Sequence, residues 1–272
     1  MLRLGHILYS NCFPVHAALV DERPPAWLGL HSGVPSALNA ALARGEIDVA
    51  PCSSIEFARH PEYRIVPGPA IASNGPVRSI LLETTVPLEA LDDAVVALPT
   101  ASATSVVLLR ALLERRRSVR PRYVWFDQAG DADPIDAGAS AALRIGDIAL
   151  GRVAPPGRSH VDLGVDWTRW TGLPFVYAVW QTRLGPERDD ELVRLQGVLR
   201  QSRSFFGQRV EHLARDHAAR FGVAPQVLVE YWSSLSYELG RAEQAGLLRF
   251  YALAAELGEA DGVSGLRFTP PG

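Results

Sequence analysis

Five short clusters of hydroxyl- and amide-bearing residues stand in this chain where an apolar run stops. They are Ser10-Asn11, Ser53-Ser54, Ser73-Asn74-Gly75-Pro76, Ser102-Ala103-Thr104-Ser105 and Gly146-Asp147. Hydroxyls and amides bind anions through hydrogen bonds without adding charge. Placed at the start of a helix, they join unpaired N–H groups and the positive end of the helix dipole. Together these hold a carboxylate without a Lys or Arg. The clearest case is TASATSVVLLRALL, with Thr100 or Ser102 as N-cap and Thr104 and Ser105 in the first turn. A well-capped helix explains any one such cluster. Five of them point to a small anionic ligand held where they converge, with Ser10, Asn11, Ser53, Ser54, Ser102, Thr104, Ser105, Gly146 and Asp147 as candidates.

Other reactive patterns are weaker. His212 and His217 are five residues apart, not the four that set two metal ligands on one helix face, and no metal site is expected. There is no nucleophile elbow, phosphate loop or dinucleotide glycine fingerprint. His6 lies inside a strand and reads as a core histidine. Ser53 and Glu56 have the spacing of a capping box. Asp147 fits either a cleft acid or a turn. Trp167, Trp170, Phe175, Tyr177 and Trp180 read as packing aromatics.

These clusters need a scaffold of alternating elements. Apolar runs in LGHILY, IDVAPCSS, RSILLET, AVVALP, YVWF, AALRIGDIAL and PFVYAVWQTR read as strands. Between them lie helical runs, including SGVPSALNAALARGEID with Pro35 in its first turn and Gly45 at its end. From Asp189 to Leu257 the spacing of Leu192, Leu195 and Leu199, then Phe206, Val210 and Leu213, predicts almost continuous helix. The order predicts an α/β protein of two lobes, with a crossing near Val77–Thr84 and a return near Phe175–Arg183. Lobe I takes residues 1–80 and 182–272 with the C-terminal helices, and lobe II takes residues 81–181. A single doubly wound sheet also fits the alternation.

The totals narrow the function classes. A chain of 272 residues with 47% hydrophobic and 21% charged residues is an ordinary globular protein, not a disordered one. A net charge of −3 offers no basic face for nucleic acid or a membrane surface. No apolar run is long enough to span a bilayer. The first residues lack the pattern of a secretory signal, so the expected location is the cytoplasm, with Cys12 and Cys52 as free thiols.

The strings GHILYSNCFP, GVPSALN, GEIDVAPCSSIEFAR, SNGPVRSILL, ASATSVVLL, RIGDIAL and WTRWTGLPFVYAVW run in order from Gly5 to Trp180. Together with the tail YWSSLSYELGRAEQAGLLRFYALAAELG, this sequence resembles the chorismate dehydratases of the futalosine route to menaquinone. GPVRS and WTGLPFVYAVW are its most specific parts, and GPVRS adds Ser79 to the candidates. Asn74 stands where that family more commonly has Asp, and Asp127–Gly138 is irregular. The resemblance implies the two-lobed type II fold of periplasmic solute-binding proteins, with the ligand cleft between the lobes. It also implies conversion of chorismate to 3-[(1-carboxyvinyl)oxy]benzoate and water, with no metal or organic cofactor. It leaves the oligomeric state open.

That chemistry suits the clusters. Chorismate is a dianion, and the reaction removes the ring C3 proton and the C4 hydroxyl as the ring becomes aromatic. Negative charge develops into the ring carboxylate, so its stabilisation is the main task of the protein. Asn11 cannot take a proton at neutral pH. The expected base is therefore the enolpyruvyl carboxylate of the substrate, with Asn11 as the catalytic residue that orients it. Two other readings fit the same strings: a cytosolic small-carboxylate binding or sensory module, and the sister enzyme acting on cyclic dehypoxanthinyl futalosine.

Overall fold

The computed structural model describes residues 1–272 and contains two mixed sheets with helices around both. Strand β1 (Leu2–Ile7), helix α1 (Phe13–Asp21), β2 (Leu28–Gly33), α2 (Pro35–Ala43), β3 (Val49–Ser53), α3 (Ile55–Arg59) and β4 (Arg64–Ser73) open the first lobe. The second lobe holds β5 (Ile80–Thr84), β6 (Val95–Pro99), α4 (Thr104–Arg110), β7 (Arg122–Phe126), β8 (Ala141–Ile145), α5 (Asp147–Leu150), β9 (Ser159–Asp162) and α6 (Leu163–Thr171). The chain then returns through β10 (Phe175–Thr182), α7 (Asp189–Gly207), α8 (Val210–Phe221), α9 (Pro225–Ser234), β11 (Ser236–Glu238) and α10 (Arg241–Glu256).

The first sheet has the order β11-β4-β10-β3-β1-β2 and the second β7-β6-β8-β5-β9. Strand β1 runs parallel to β2 and β3, whereas β10 is antiparallel to both β3 and β4. Every residue of β10 is buried, and such a run belongs at the centre of a sheet covered on both faces. This corrects the expected boundary: Phe175–Gln181 belongs to the first sheet, not to lobe II. The return lies just before β10, where Gly172 takes a left-handed conformation (φ 69°) and Pro174 blocks further helix. An apolar run alone fits the middle of either sheet. The first crossing is the loop 74–79.

The C-terminal helices cover the first lobe. Phe13 of α1, Phe206 of α7, Phe221 of α8 and Trp232 of α9 pack as one aromatic group, with ring centroids 5.1–6.4 Å apart. Trp167, Phe175 and Trp180 are fully buried packing residues, as the sequence suggests, and Trp170 packs edge-on against Trp167. No helix is long and apolar enough to cross a membrane.

Candidate active site

The sheets face each other across a cleft. Asn11, Ser53, Tyr177 and Pro35 line it from the first lobe, and Ser79, Ser102, Ser105 and Gly146 from the second. Strands β1, β3, β4 and β8 reach the cleft by their carboxyl ends, where ligands bind in open α/β sheets, whereas β5 and β10, antiparallel to their neighbours, reach it from their starts. The apolar wall comes from Ile7, Ile71, Ile80 and Ile145. No Lys, Arg, His, Asp or Glu lines the cleft, so an anion placed there meets only hydroxyls, amides and backbone donors.

The ten candidates divide by side-chain direction. Asn11, Ser53, Ser79, Ser102, Ser105 and Gly146 face the cleft, whereas Ser10, Ser54, Thr104 and Asp147 join the two lobes outside it. The Thr104 hydroxyl accepts from the Ile55 N–H at 3.1 Å and lies 3.3 Å from Ser54 Oγ. It thereby docks the start of α4 on the start of α3. Ser54 in turn donates to the Val176 carbonyl at 2.8 Å. The expected capping box is absent: helix α3 begins after Ser54, and Glu56 pairs with Arg59 instead. Likewise neither Thr100 nor Ser102 is the N-cap of α4, which begins after Ala103. The Ser102 hydroxyl nonetheless accepts from the Ser105 N–H at 3.3 Å. It donates to Ser105 Oγ at 3.0 Å, which leaves the Ser105 proton free for the cleft.

Asp147 is the principal tie between the lobes. Both its carboxylate oxygens accept from the Ser10 N–H at 3.1 Å, and Oδ1 also accepts from the Ser10 hydroxyl. Its neighbour Gly146 has φ 70°, and a Cβ there would sit 3.1 Å from the Tyr9 ring. Glycine therefore lets Tyr9 lie against this turn. Burial pushes the Asp147 carboxyl up to about 6, outweighing the opposing effect of the Ser10 hydrogen bonds. Since its unfolded value is about 3.9, the folded form keeps a proton that the unfolded chain has lost. Its contribution to stability therefore falls as pH rises from about 4 to about 6. Asp147→Asn does not titrate. Relative to wild type it is expected to be more stable at pH 7.5 than at pH 5, by about 1 kcal/mol allowing for partial exposure. Thermal melts at the two pH values measure this, and equal differences at both would disprove the titration.

Ser79 follows a strained turn. Arg78 has φ 61°, unusual for a residue with a side chain. The Asp162 carboxylate fixes that turn by accepting from the Val77 N–H at 3.1 Å and the Arg78 N–H at 2.7 Å, while also capping α6. Gly164 is needed beside it, because a Cβ would lie 2.4 Å from the Gly75 carbonyl oxygen. Asn74 is exposed and outside the cleft wall.

His6, Cys12 and His16 form a buried group behind the cleft wall, with ligand-type atoms within 4.8 Å of one another. Trp180 Nε1 donates to His16 Nε2 at 3.0 Å, which places the His16 proton on Nδ1, 3.0 Å from His6 Nδ1. Cation binding at His16 Nδ1 would displace that proton and require an imidazolate, so this set suits a hydrogen-bonded core better than a metal. Burial lowers the His6 imidazole to about 4 and pushes the Cys12 thiol up to about 12. Both groups are therefore neutral.

The sequence profile described as menaquinone biosynthesis matches residues 2–256. The chorismate dehydratase of Thermus thermophilus is 33% identical over 264 residues, covering 91% of this chain and 93% of that one. The chain belongs to the menaquinone biosynthesis family. A chorismate dehydratase of Campylobacter jejuni is 30% identical over 178 residues, 64% of each chain. In fold, this family member is similar to an Archaeoglobus fulgidus protein (TM-score 0.75, 19% identity, 94% and 97% of the two chains covered). It is also similar to the periplasmic aliphatic sulphonate binding protein of Escherichia coli (TM-score 0.67, 17% identity, 100% and 96% covered). The two-lobed fold is thus that of periplasmic binding proteins.

Sequence reading assigns none of four aromatic residues to this family site, and Tyr177, read there as a packing aromatic, lines the cleft. Tyr9 lines it too, Tyr231 lies 2.6 Å from Ser79 Oγ, and Trp232 Nε1 donates to the Ser10 carbonyl at 2.8 Å. Tyr9 lies two residues past the first strand, and its place beside Ser10-Asn11 was an available signal. Tyr231 and Trp232 reach the site only through tertiary packing.

Proposed function

We propose that this protein is a chorismate dehydratase, converting chorismate to 3-[(1-carboxyvinyl)oxy]benzoate and water, and that it works in the cytoplasm. The relatives' activity and the extent of their similarity support the reaction. One observation carries the mechanism: the cleft wall has no carboxylate, imidazole or amine to serve as base. Its only ionisable side chains are the phenols of Tyr9 and Tyr177, both raised by burial. Asp147 is held by Ser10, and His6 sits among His16 and Cys12. The base is then the substrate's enolpyruvyl carboxylate.

In this mechanism the enolpyruvyl carboxylate takes the C3 proton, and the electron pair spreads through the conjugated C1–C2 double bond into the ring carboxylate. Hydroxyls from Ser53 and Ser105 stabilise that charge, with Ser102 donating to Ser105 Oγ and so turning the Ser105 proton to the substrate. The C4–O bond then breaks, the C3–C4 double bond forms, and the proton now on the enolpyruvyl group leaves with the hydroxide as water. Asn11 holds the base in line. Its N–H donates to the carboxylate, and its Oδ1, without a partner inside the protein, accepts from the C4 hydroxyl. No proton need come from an enzyme side chain.

Purified protein incubated with chorismate is expected to abolish the diene absorbance and to form a product lighter by one water. Binding without turnover would instead favour a solute-binding or sensory module, and no consumption of chorismate would refute the enzyme reading.

A further inference from the structure

Helix α9 carries Tyr231 and Trp232 side by side, in the YWSS string of the tail, and both side chains reach residues of the cleft region. Tyr231 is only 1% exposed, and its hydroxyl has Ser79 Oγ as its hydrogen-bond partner at 2.6 Å. The Asn11 side chain lies beside the same phenol oxygen. One phenol thus touches the leading hydroxyl of the second lobe and the catalytic amide of the first.

The direction of the Tyr231–Ser79 hydrogen bond follows from satisfaction of buried groups. A phenol proton sealed in the interior needs an acceptor, and leaving it without one costs roughly 1–3 kcal/mol. Ser79 Oγ is the acceptor in reach, since Asn11 Oδ1 makes no hydrogen bond within the protein. Tyr231 therefore donates and Ser79 accepts. The Ser79 proton, which would otherwise rotate freely, is left for the cleft. Burial also raises the Tyr231 phenol, so the donor stays protonated at any pH the enzyme meets.

We infer that Tyr231 is a positioning residue for the dehydration: by donating to Ser79 it aims the Ser79 hydroxyl at the bound substrate. A hydroxyl already aimed at developing charge costs no reorganisation when that charge appears. A freely turning one must first be ordered. The inference rests on the chorismate reaction proposed above, and wild-type turnover is the control that tests that reaction separately.

The test is a double-mutant cycle between Tyr231→Phe and Ser79→Ala, with kcat and KM for chorismate and the melting temperature measured for all four proteins. Tyr231→Phe alone is expected to lower kcat roughly 10-fold, with KM changed less than 3-fold. In the Ser79→Ala background the same change is expected to lower the residual kcat less than 2-fold. A kcat within 2-fold of wild type for Tyr231→Phe overturns the inference. So does an equal loss in both backgrounds, the signature of a purely structural role. Site-specific 3-fluorotyrosine at position 231 covers a Phe variant that does not fold, because it keeps the hydroxyl and the packing. Its more acidic hydroxyl is expected to change kcat at least 2-fold when Ser79 is present and not when it is absent; no change in the first case overturns the inference.

Discussion

Asn11→Ala is expected to lower the turnover of chorismate by roughly 100- to 1,000-fold while leaving the melting temperature within a few degrees of wild type. The magnitude is that of removing a preorganised donor from a water-poor site. The loss should be larger than for any single serine of the cleft, because the amide both orients the base and receives the hydroxyl. Little stability is at stake, since Asn11 Oδ1 has no protein partner and the Tyr231 phenol beside the amide keeps its hydrogen bond to Ser79. The pH profile discriminates between mechanisms. With the substrate carboxylate as base, the variant and the wild type should share the same profile, without an inflection belonging to an enzyme base. An inflection in wild type that disappears in His6→Gln or Asp147→Asn would assign the proton transfer to a side chain and overturn the substrate-assisted mechanism.

The largest effect on stability is expected far from the cleft. Glu83, near the end of β5 away from Ser79, is fully buried. It accepts from Arg152 Nε at 2.5 Å and Arg158 Nη1 at 2.6 Å, with His160 Nε2 at 3.3 Å. Asp133 shares the same cations, binding Arg144 at 2.7 Å and Arg152 and Arg158 at 3.0 Å. Burial alone would raise the Glu83 carboxyl, yet the hydrogen bonds from Arg152 and Arg158 outweigh it and bring it down to about 2. Glu83→Leu leaves a group of guanidinium charges with too few acceptors. That is expected to cost about 3–5 kcal/mol, or roughly 6–15 °C in melting temperature. The sign with pH is fixed: a depressed carboxylate stabilises above its unfolded value of about 4.3 and loses that contribution as pH falls toward about 2. The gap between wild type and variant should therefore narrow from pH 7 to pH 3. Melting temperatures within 2 °C at pH 7 would disprove the role assigned to Glu83.

The general architecture was legible because alternating apolar runs and helical periods are local signals. The neighbourhood of the cleft was legible too, since small polar residues collected at the strand ends that form it. What local sequence does not specify is direction. Ser53 and Ser54 are identical neighbours, yet one faces the cleft and the other bonds to the Val176 carbonyl. Ser10 and Asn11 divide in the same way. Which of two adjacent side chains faces a ligand depends on backbone turn geometry that composition does not encode. The Glu83 group was invisible for another reason: its members lie up to 77 residues apart. Strand β10 shows a third limit, because an apolar run buried on both faces fits the centre of either sheet equally well.

The central position of β10 also bears on how the chain assembles. Its neighbours β3 and β4 come from the first 73 residues, but the strand between them begins only at Phe175. The second sheet, by contrast, is drawn entirely from the contiguous segment between β5 and β9. During synthesis, all strands of the second sheet emerge while the first still has a strand-wide gap at its centre. At 5–20 residues per second, the roughly 100 residues between β4 and β10 take about 5–20 seconds to appear. Throughout that interval β3 and β4 present unpaired backbone edges of the kind that invite aggregation. The arrival of β10 closes that gap, so this one strand both floors the cleft and joins β3 to β4, leaving only the short β11 to cover the outer edge of β4.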